Sequence, residues 1–313
     1  MPISIIIAEP ERFSEQAVSR LREVGEVILR TVDRDGLRRA FQEFDVVWFR
    51  LAHRIDATML GDKPRCRILA TPVTGLDHID LEACAARGIR VVSLKGETEF
   101  LREVRATAEL TVGLMLALMR KIPQASRSVQ DGVWDRDLFQ GHELYSKTAG
   151  IIGVGRLGSI VAGYLRAFGM HVVGYDPRPD FPSDACARAQ TLGEVLEQAD
   201  VVSLHVSYGP ATRHLIGATE LAVMKPEAVL INTSRGGVVD EVALLSALES
   251  GRLAGAALDV LDGEPDIDGK HPVAAASRRL DNLLVVPHLG GNTVESFEKT
   301  ERFLAERVVE ALT

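Results

Sequence analysis

A chain of 313 residues with 46% apolar and 26% charged side chains has ordinary globular composition and the length of about two domains. Its net charge of −8 disfavours a nucleic-acid-binding surface, and an anionic ligand would need a local basic pocket. The three cysteines, Cys66, Cys84 and Cys186, are scattered and suggest neither a disulfide framework nor a metal site, so a reducing compartment is expected. The most apolar run, Leu110 to Met119, falls well short of the ~20 residues a membrane span needs. The opening MPISIIIAEP lacks a basic region and reads as a first strand, not a signal peptide. A cytoplasmic protein without membrane or nucleic-acid partners is the expectation.

In chain order, residues 3–8 read as a strand, and Phe13, Ala17, Leu21 and Val24 mark a helical face. Strands are expected at 26–31, 45–51, 67–71 and 89–94, with helices at 37–44 and 81–87, the latter stopped by Gly88. A long helix over about 103–121, ending before Pro123, interrupts this alternation. A second α/β region begins near Lys147, with about six strands at 149–152, 171–175, 201–206, 228–232, 254–259 and 283–286. Helices fall between them near 157–168, 191–199, 219–224 and 240–250. The last segment, 293–312, is amphipathic through Val294, Phe297, Phe303, Leu304 and Val308, and is expected to cross back and cap the first domain.

The stretch Lys147 to Asp176 carries the sharpest signal. An apolar strand ends in Gly153-Val154-Gly155-Arg156-Leu157-Gly158, an amphipathic helix follows, and the next strand ends on Asp176. Gly153 permits a tight turn, Gly155 lets a pyrophosphate approach the backbone, and Gly158 lets helix and strand pack closely. The helix N-terminus offers free N–H groups to phosphate, and Asp176 lies where a carboxylate can take the ribose hydroxyls. A dinucleotide site follows from the flanking strand, helix and acid together. Asp176 favours NAD because it would repel the 2′-phosphate of NADP; Arg178, two residues on, reads as a surface arginine.

Three downstream points follow apolar strands: Arg235 in NTSRGG, Asp259 and Glu264 in ALDVLDGEP, and His288 in VPHLGG. Ligands of open α/β sheets bind at such carboxyl ends. The planar guanidinium of Arg235 suits a carboxylate. The other histidines, His271 among them, lack a comparable setting.

The ordered set GVGRLG, YD, NTSRGGVVDE, AALDVLDGEP and VPHLGG, with Thr74 to Asp80 and Ala108-Glu109, resembles the D-isomer-specific 2-hydroxyacid dehydrogenases over almost the whole chain, in a phosphoglycerate dehydrogenase-like form. The resemblance implies an α/β fold of two parallel-sheet domains. A Rossmann NAD-binding domain, 99–288, would be inserted into a smaller flavodoxin-like substrate domain, 1–98 with 289–313. It implies a homodimer, with the helix after residue 103 contributing to the interface.

By the same resemblance Arg235 holds the substrate carboxylate, His288 is the acid/base, and Glu264 holds its imidazole. Asp259 meets the nicotinamide, and Thr74, Gly153, Gly155, Arg156, Leu157, Gly158, Asp176, Val206, Thr233, His288 and Gly291 line the cofactor. Arg50 and the Val73, Thr74 and Gly75 backbone close over the substrate. That substrate is a 2-hydroxy or 2-keto acid, such as 3-phosphoglycerate, hydroxypyruvate or glyoxylate; no metal is implied. The other reading is a non-catalytic NAD(H)-dependent corepressor-like protein.

The chain departs from the family where Leu51 follows Arg50, where Val206-Ser207 follow His205, and in the acidic 95–102 segment. It also ends at Thr313, so the C-terminal regulatory domain of long phosphoglycerate dehydrogenases is expected to be absent.

Overall fold

Among the described residues every strand pairing is parallel, as expected of strands that read as continuous apolar runs and are covered on both faces. The computed structural model describes residues 2–313. These form two compact units: one reaches to Val104 and resumes at Asn292–Thr313, and the other is Arg105–Gly291. The chain therefore changes unit at 104/105 and 291/292, slightly later than the expected 98/99 and 288/289.

The first unit runs β1 (Ile3–Ile7), α1 (Glu15–Arg22), β2 (Gly25–Leu29), α2 (Arg34–Glu43), β3 (Val46–Trp48), α3 (Ala57–Leu60), β4 (Ile68–Thr71), α4 (Leu81–Ala86), β5 (Arg90–Ser93) and α5 (Thr98–Leu101). Its sheet order is β2-β1-β3-β4-β5, the flavodoxin-like order. The sheet reverses direction between β1 and β3, so the loops after those two strands flank its switch point. Ser14, Asp33, Asp56 and Asp80 cap four of the helices by accepting a backbone N–H of the first turn.

The second unit opens with α6 (Ala106–Met119). This helix is apolar on nearly all sides and packs under the sheet with Met115, Leu114 and Leu118 buried. The expected helix 103–121 is thus shorter. Lys121 takes a left-handed conformation, φ 52°, and a separate helix, α7 (Ile122–Gln130), begins there. Pro123 sits in the first turn of α7, where its missing N–H costs nothing; it starts a helix instead of following one.

There follow β6 (Thr148–Ile152), α8 (Arg156–Ala167), β7 (His171–Tyr175), β8 (Ala187–Arg188), α9 (Leu192–Gln198), β9 (Val201–Leu204), α10 (Ala218–Val223), β10 (Val229–Asn232), α11 (Glu241–Glu249), β11 (Gly255–Leu258), α12 (Pro272–Ala276) and β12 (Leu283–Val285). The sheet order, β12-β11-β10-β9-β6-β7-β8, is the doubly wound dinucleotide-binding order. It has seven strands where about six were expected, because the two-residue β8 is too short to show as a pattern.

The final helix, α13 (Val294–Leu312), returns to the first unit and packs on α1, with Leu304, Ala305 and Val308 in that unit's core. The three cysteines are free and buried. Burial pushes the Cys66 thiol up to about 12 and those of Cys84 and Cys186 up to about 11, which makes them packing residues. Among the described residues no helix is long and apolar enough to cross a membrane, and no cluster of candidate metal ligands occurs.

His205, just past β9, has its Nδ1 shut away without a partner, and burial pushes the imidazole down to about 4. The folded state therefore binds this proton less well than the unfolded chain. The associated stability is present above pH ~6.5 and is lost as pH falls from there towards 4. The loss is at most about 3 kcal/mol, since part of the residue reaches water. Melting curves from pH 7 to 4 are expected to show a steeper acid decline for the wild type than for His205→Gln.

Candidate active site

The glycine-rich turn lies at the switch point of the second sheet, where β6 stands between β9 and β7. Gly153 has φ +88°, and a Cβ there would lie 2.7 Å from the His205 carbonyl oxygen and 2.9 Å from Val206 Cγ1. A Cβ at Gly158 would lie 2.1 Å from the Gly153 oxygen, so no larger residue lets α8 seat against the strand. At Gly155 a Cβ would meet nothing within 4 Å. Two of the glycines are thus demanded by packing, while the third, at the N-cap of α8, fronts open space beside the helix N-terminus. Arg156 starts the helix, with its guanidinium pushed down by burial, and Leu157 packs against the core.

Asp176 ends β7 and is buried. One carboxylate oxygen accepts the Val154 N–H at 3.0 Å and the other accepts the Arg178 N–H at 3.0 Å. The Arg178 side chain adds Nε at 2.9 Å and Nη2 at 3.1 Å. Burial works against this carboxylate, but these donors outweigh it and hold it below its ordinary range. The backbone bonds orient Asp176; a ribose diol would take the places of the half-exposed Arg178 guanidinium. The turn, the open space at Gly155 and the acid fit a dinucleotide.

The second cluster grows from the carboxyl ends of β10, β11 and β12. Asn232 accepts the Ser234 N–H at 3.0 Å and donates to the Arg235 carbonyl at 2.9 Å, which fixes the loop carrying Arg235. Thr233 Oγ1 lies 2.8 Å from Thr111 Oγ1 on α6. A Cβ at Gly236 would fall 1.9 Å from the Leu261 carbonyl carbon, so the Arg235 loop lies flush against the turn that bears Glu264.

Asp259 donates its N–H to the Asn232 carbonyl at 2.9 Å and accepts the His288 N–H at 2.8 Å on its own carbonyl. Its carboxylate accepts the N–H groups of Leu289 at 2.5 Å and Gly290 at 2.9 Å. Burial pushes this carboxyl up, opposed by the two N–H bonds and by His288. These bonds hold His288 in a left-handed conformation, φ 52°, that a non-glycine residue adopts only when its surroundings impose it. His288 Nδ1–H then donates to Glu264 Oε2 at 2.5 Å, and Glu264 Oε1 accepts the Leu261 N–H at 2.9 Å. Glu264 fixes the tautomer and leaves Nε2 as the nitrogen for proton transfer.

Behind Glu264 lies a pair that the sequence reading passed over. Glu241, at the first turn of α11, accepts the Asp262 N–H at 2.8 Å, while His271 Nε2–H donates to the Asp262 carbonyl at 3.1 Å and lies 3.4 Å from Glu241. The backbone of Asp262, two residues before Glu264, is held at both its N–H and its carbonyl. His271 thus has a setting after all, supplied by a loop fold that no local pattern announces.

In the first unit, Val73 accepts the Leu94 N–H at 3.1 Å and Thr74 beside it is exposed. Arg50 is committed internally. Its Nε and Nη2 donate to Glu301 Oε1 at 3.1 and 2.5 Å, and its Nη1 donates to the Glu11 carbonyl at 3.1 Å. Glu301 also escaped the sequence reading, although a signal was present: it falls on the apolar stripe between Phe297 and Leu304, where an acid needs a partner. Gly291 is exposed at the end of the second unit.

A switch-point glycine turn, a strand-terminal acid and an arginine loop beside a carboxylate-held histidine define the dinucleotide-dependent class of α/β proteins. Residues 112–290 match the family model described as D-isomer specific 2-hydroxyacid dehydrogenase, NAD binding domain. The chain is 34% identical to the hydroxypyruvate reductase of Thermotoga maritima over 93% of its own length and 92% of that protein's. It is 36% identical to the D-3-phosphoglycerate dehydrogenase of Methanocaldococcus jannaschii over 99% of its own length, but spans only 57% of that relative. The crystal structure of D-lactate dehydrogenase from Aquifex aeolicus, complexed with NAD and lactic acid, superposes with a TM-score of 0.83 at 29% identity, covering 98% of this chain and 94% of that one. The chain belongs to the D-isomer-specific 2-hydroxyacid dehydrogenase family, and its second unit is that family's NAD-binding domain.

If Glu241 holds the Glu264 turn, Glu241→Ala leaves the Asp262 N–H without its acceptor. Amide hydrogen exchange there is expected to rise about tenfold, whereas Glu241→Gln keeps the acceptor and most of the protection.

Proposed function

We propose that this protein is an NAD-dependent dehydrogenase that interconverts a D-2-hydroxy acid and its 2-keto acid. The observation that carries the reading is the 2.5 Å bond between His288 and Glu264, seated against the Arg235 loop. A lone binding protein has no need of an imidazole braced in a strained backbone with one nitrogen committed and the other left for proton transfer.

The residue chemistry follows from this arrangement. Arg235 binds the substrate carboxylate and polarises the adjacent carbonyl. When bound, the nicotinamide ring supplies the hydride for reduction or accepts it in oxidation. As negative charge develops on the carbonyl oxygen, protonated His288 delivers its Nε2 proton, giving the 2-hydroxy acid; in oxidation neutral His288 takes that proton back. Glu264 holds the ring in place through the Nδ1–H bond, so that Nε2 faces the substrate in this reading. Asp259 holds the 288–290 turn, and in this reading also lies beside the nicotinamide. Gly153, Gly155, Arg156, Leu157, Gly158, Asp176, Val206, Thr233 and Gly291 line the cofactor with Thr74, while the Val73 to Gly75 backbone contributes to substrate binding.

A homodimer is part of the proposal. Ile122, Val129, Val133, Trp134, Leu138 and Tyr145 are exposed within one stretch of 24 residues, and a second copy would cover them. A cytoplasmic location accords with three buried, unpaired thiols.

His288→Ala is expected to lower kcat by at least about a thousandfold while NADH still binds. Full turnover by a correctly folded variant would remove His288 from the mechanism. Because Asp176 is anionic and oriented by backbone N–H groups, kcat/KM with NADH should exceed that with NADPH; equal values would show that Arg178 accommodates the 2′-phosphate.

A further inference from the structure

The switch point of the first sheet, between the loops after β1 and β3, is where an open α/β sheet receives a ligand. The loop after β3 offers the donors an anion would use: the N–H groups of Arg50 and Ala52 and the Arg50 guanidinium. All of them already serve carboxylates or a carbonyl of the same unit. Glu9 Oε1 accepts Arg50 N–H at 2.9 Å and Ala52 N–H at 3.4 Å. Glu301, fully buried on α13, takes the Arg50 Nε and Nη2 on one oxygen and the Ser14 N–H at 2.7 Å on the other. Nη1 is held by the Glu11 carbonyl. The guanidinium also lies 4.4 Å from the Phe297 ring centroid and 5.8 Å from that of Phe13, which fixes its plane.

This arrangement is an internal anion in an anion's place. The carboxylates of Glu9 and Glu301 already take these donors, and that of Glu11 lies close enough to feel the guanidinium. A phosphate dianion entering here would meet repulsion. It could recruit Arg50 only by taking from the buried Glu301 its cationic partner and leaving the carboxylate with the Ser14 N–H alone, which is destabilising.

We propose that the acid this chain turns over carries no phosphate, and that Glu301 sets this specificity by occupying Arg50. The proposal rests on the dehydrogenase reading. It favours an unphosphorylated 2-keto acid such as hydroxypyruvate or glyoxylate over the phosphorylated acid in the archaeal relative's name. Glu301 acts through Arg50 and is a positioning residue.

Hydroxypyruvate and 3-phosphohydroxypyruvate differ only in the phosphate, so their kcat/KM values with NADH are the direct comparison. The wild type is expected to favour hydroxypyruvate by at least about tenfold; a preference for the phosphorylated acid would overturn the proposal. Glu301→Gln removes the charge but keeps an acceptor for Arg50, and the phosphorylated-to-unphosphorylated ratio should rise about tenfold. An unchanged ratio in the folded variant would remove Glu301 from specificity.

A second measurement needs neither turnover nor the variant. With saturating NADH filling the glycine turn, inorganic phosphate and 3-phosphoglycerate should raise the wild-type melting temperature no more than chloride of equal ionic strength, and a phosphate-specific rise would sink the idea. If the wild type reduces neither of these acids nor glyoxylate nor any other small 2-keto acid, the dehydrogenase reading fails, while the melting data still decide whether phosphate has a site here.

Discussion

The buried carboxylate and backbone of Asp259 hold the working end of the second unit together. Its N–H reaches the end of β10, where the Arg235 loop starts, and its carbonyl and both carboxylate oxygens collect three successive N–H groups from His288 to Gly290. One residue at the end of a central strand thus sets the separation of the guanidinium loop from the imidazole turn. The left-handed backbone of His288 is the visible strain of that arrangement, offset by bonds from Asp259 and by the Glu264 carboxylate.

The parallel sheet explains why these groups converge at all. Carboxyl ends of adjacent parallel strands lie side by side, so short loops after β6, β10, β11 and β12 bring Gly153, Arg235, Glu264 and His288 to one edge from positions far apart in sequence. A Cβ at Gly236 would overlap the backbone of Leu261, so contact between the Arg235 and Glu264 loops is as tight as within the sheet. Glu241 and His271 extend this stiffness outward by holding the Asp262 backbone.

What the sequence made legible was what local chemistry dictates. Buried parallel strands read as apolar runs, the three glycines sit where the chain turns, opens and packs, and Arg235, Glu264 and His288 stand after strands as residues of an open-sheet site should. The two-residue β8 is below any periodicity, and Pro123 reads as a stop because proline at a helix start and after a helix end look alike without knowing the φ of Lys121. Glu301 and His271 were missed because their meaning depends on partners 251 and 9 residues away. An acid on an apolar stripe hints that a partner exists but does not say which one.

The first unit is not contiguous in the chain. Arg50 lies in its third strand-to-helix connection, and the carboxylate that neutralises it is 251 residues downstream. During synthesis all of the second unit is made before Glu301 is added. Until the returning helix docks, the early strands lack the carboxylate that neutralises Arg50 and the cover that α13 gives to α1. The first unit is thus completed only by the last helix made, which closes over its first strands.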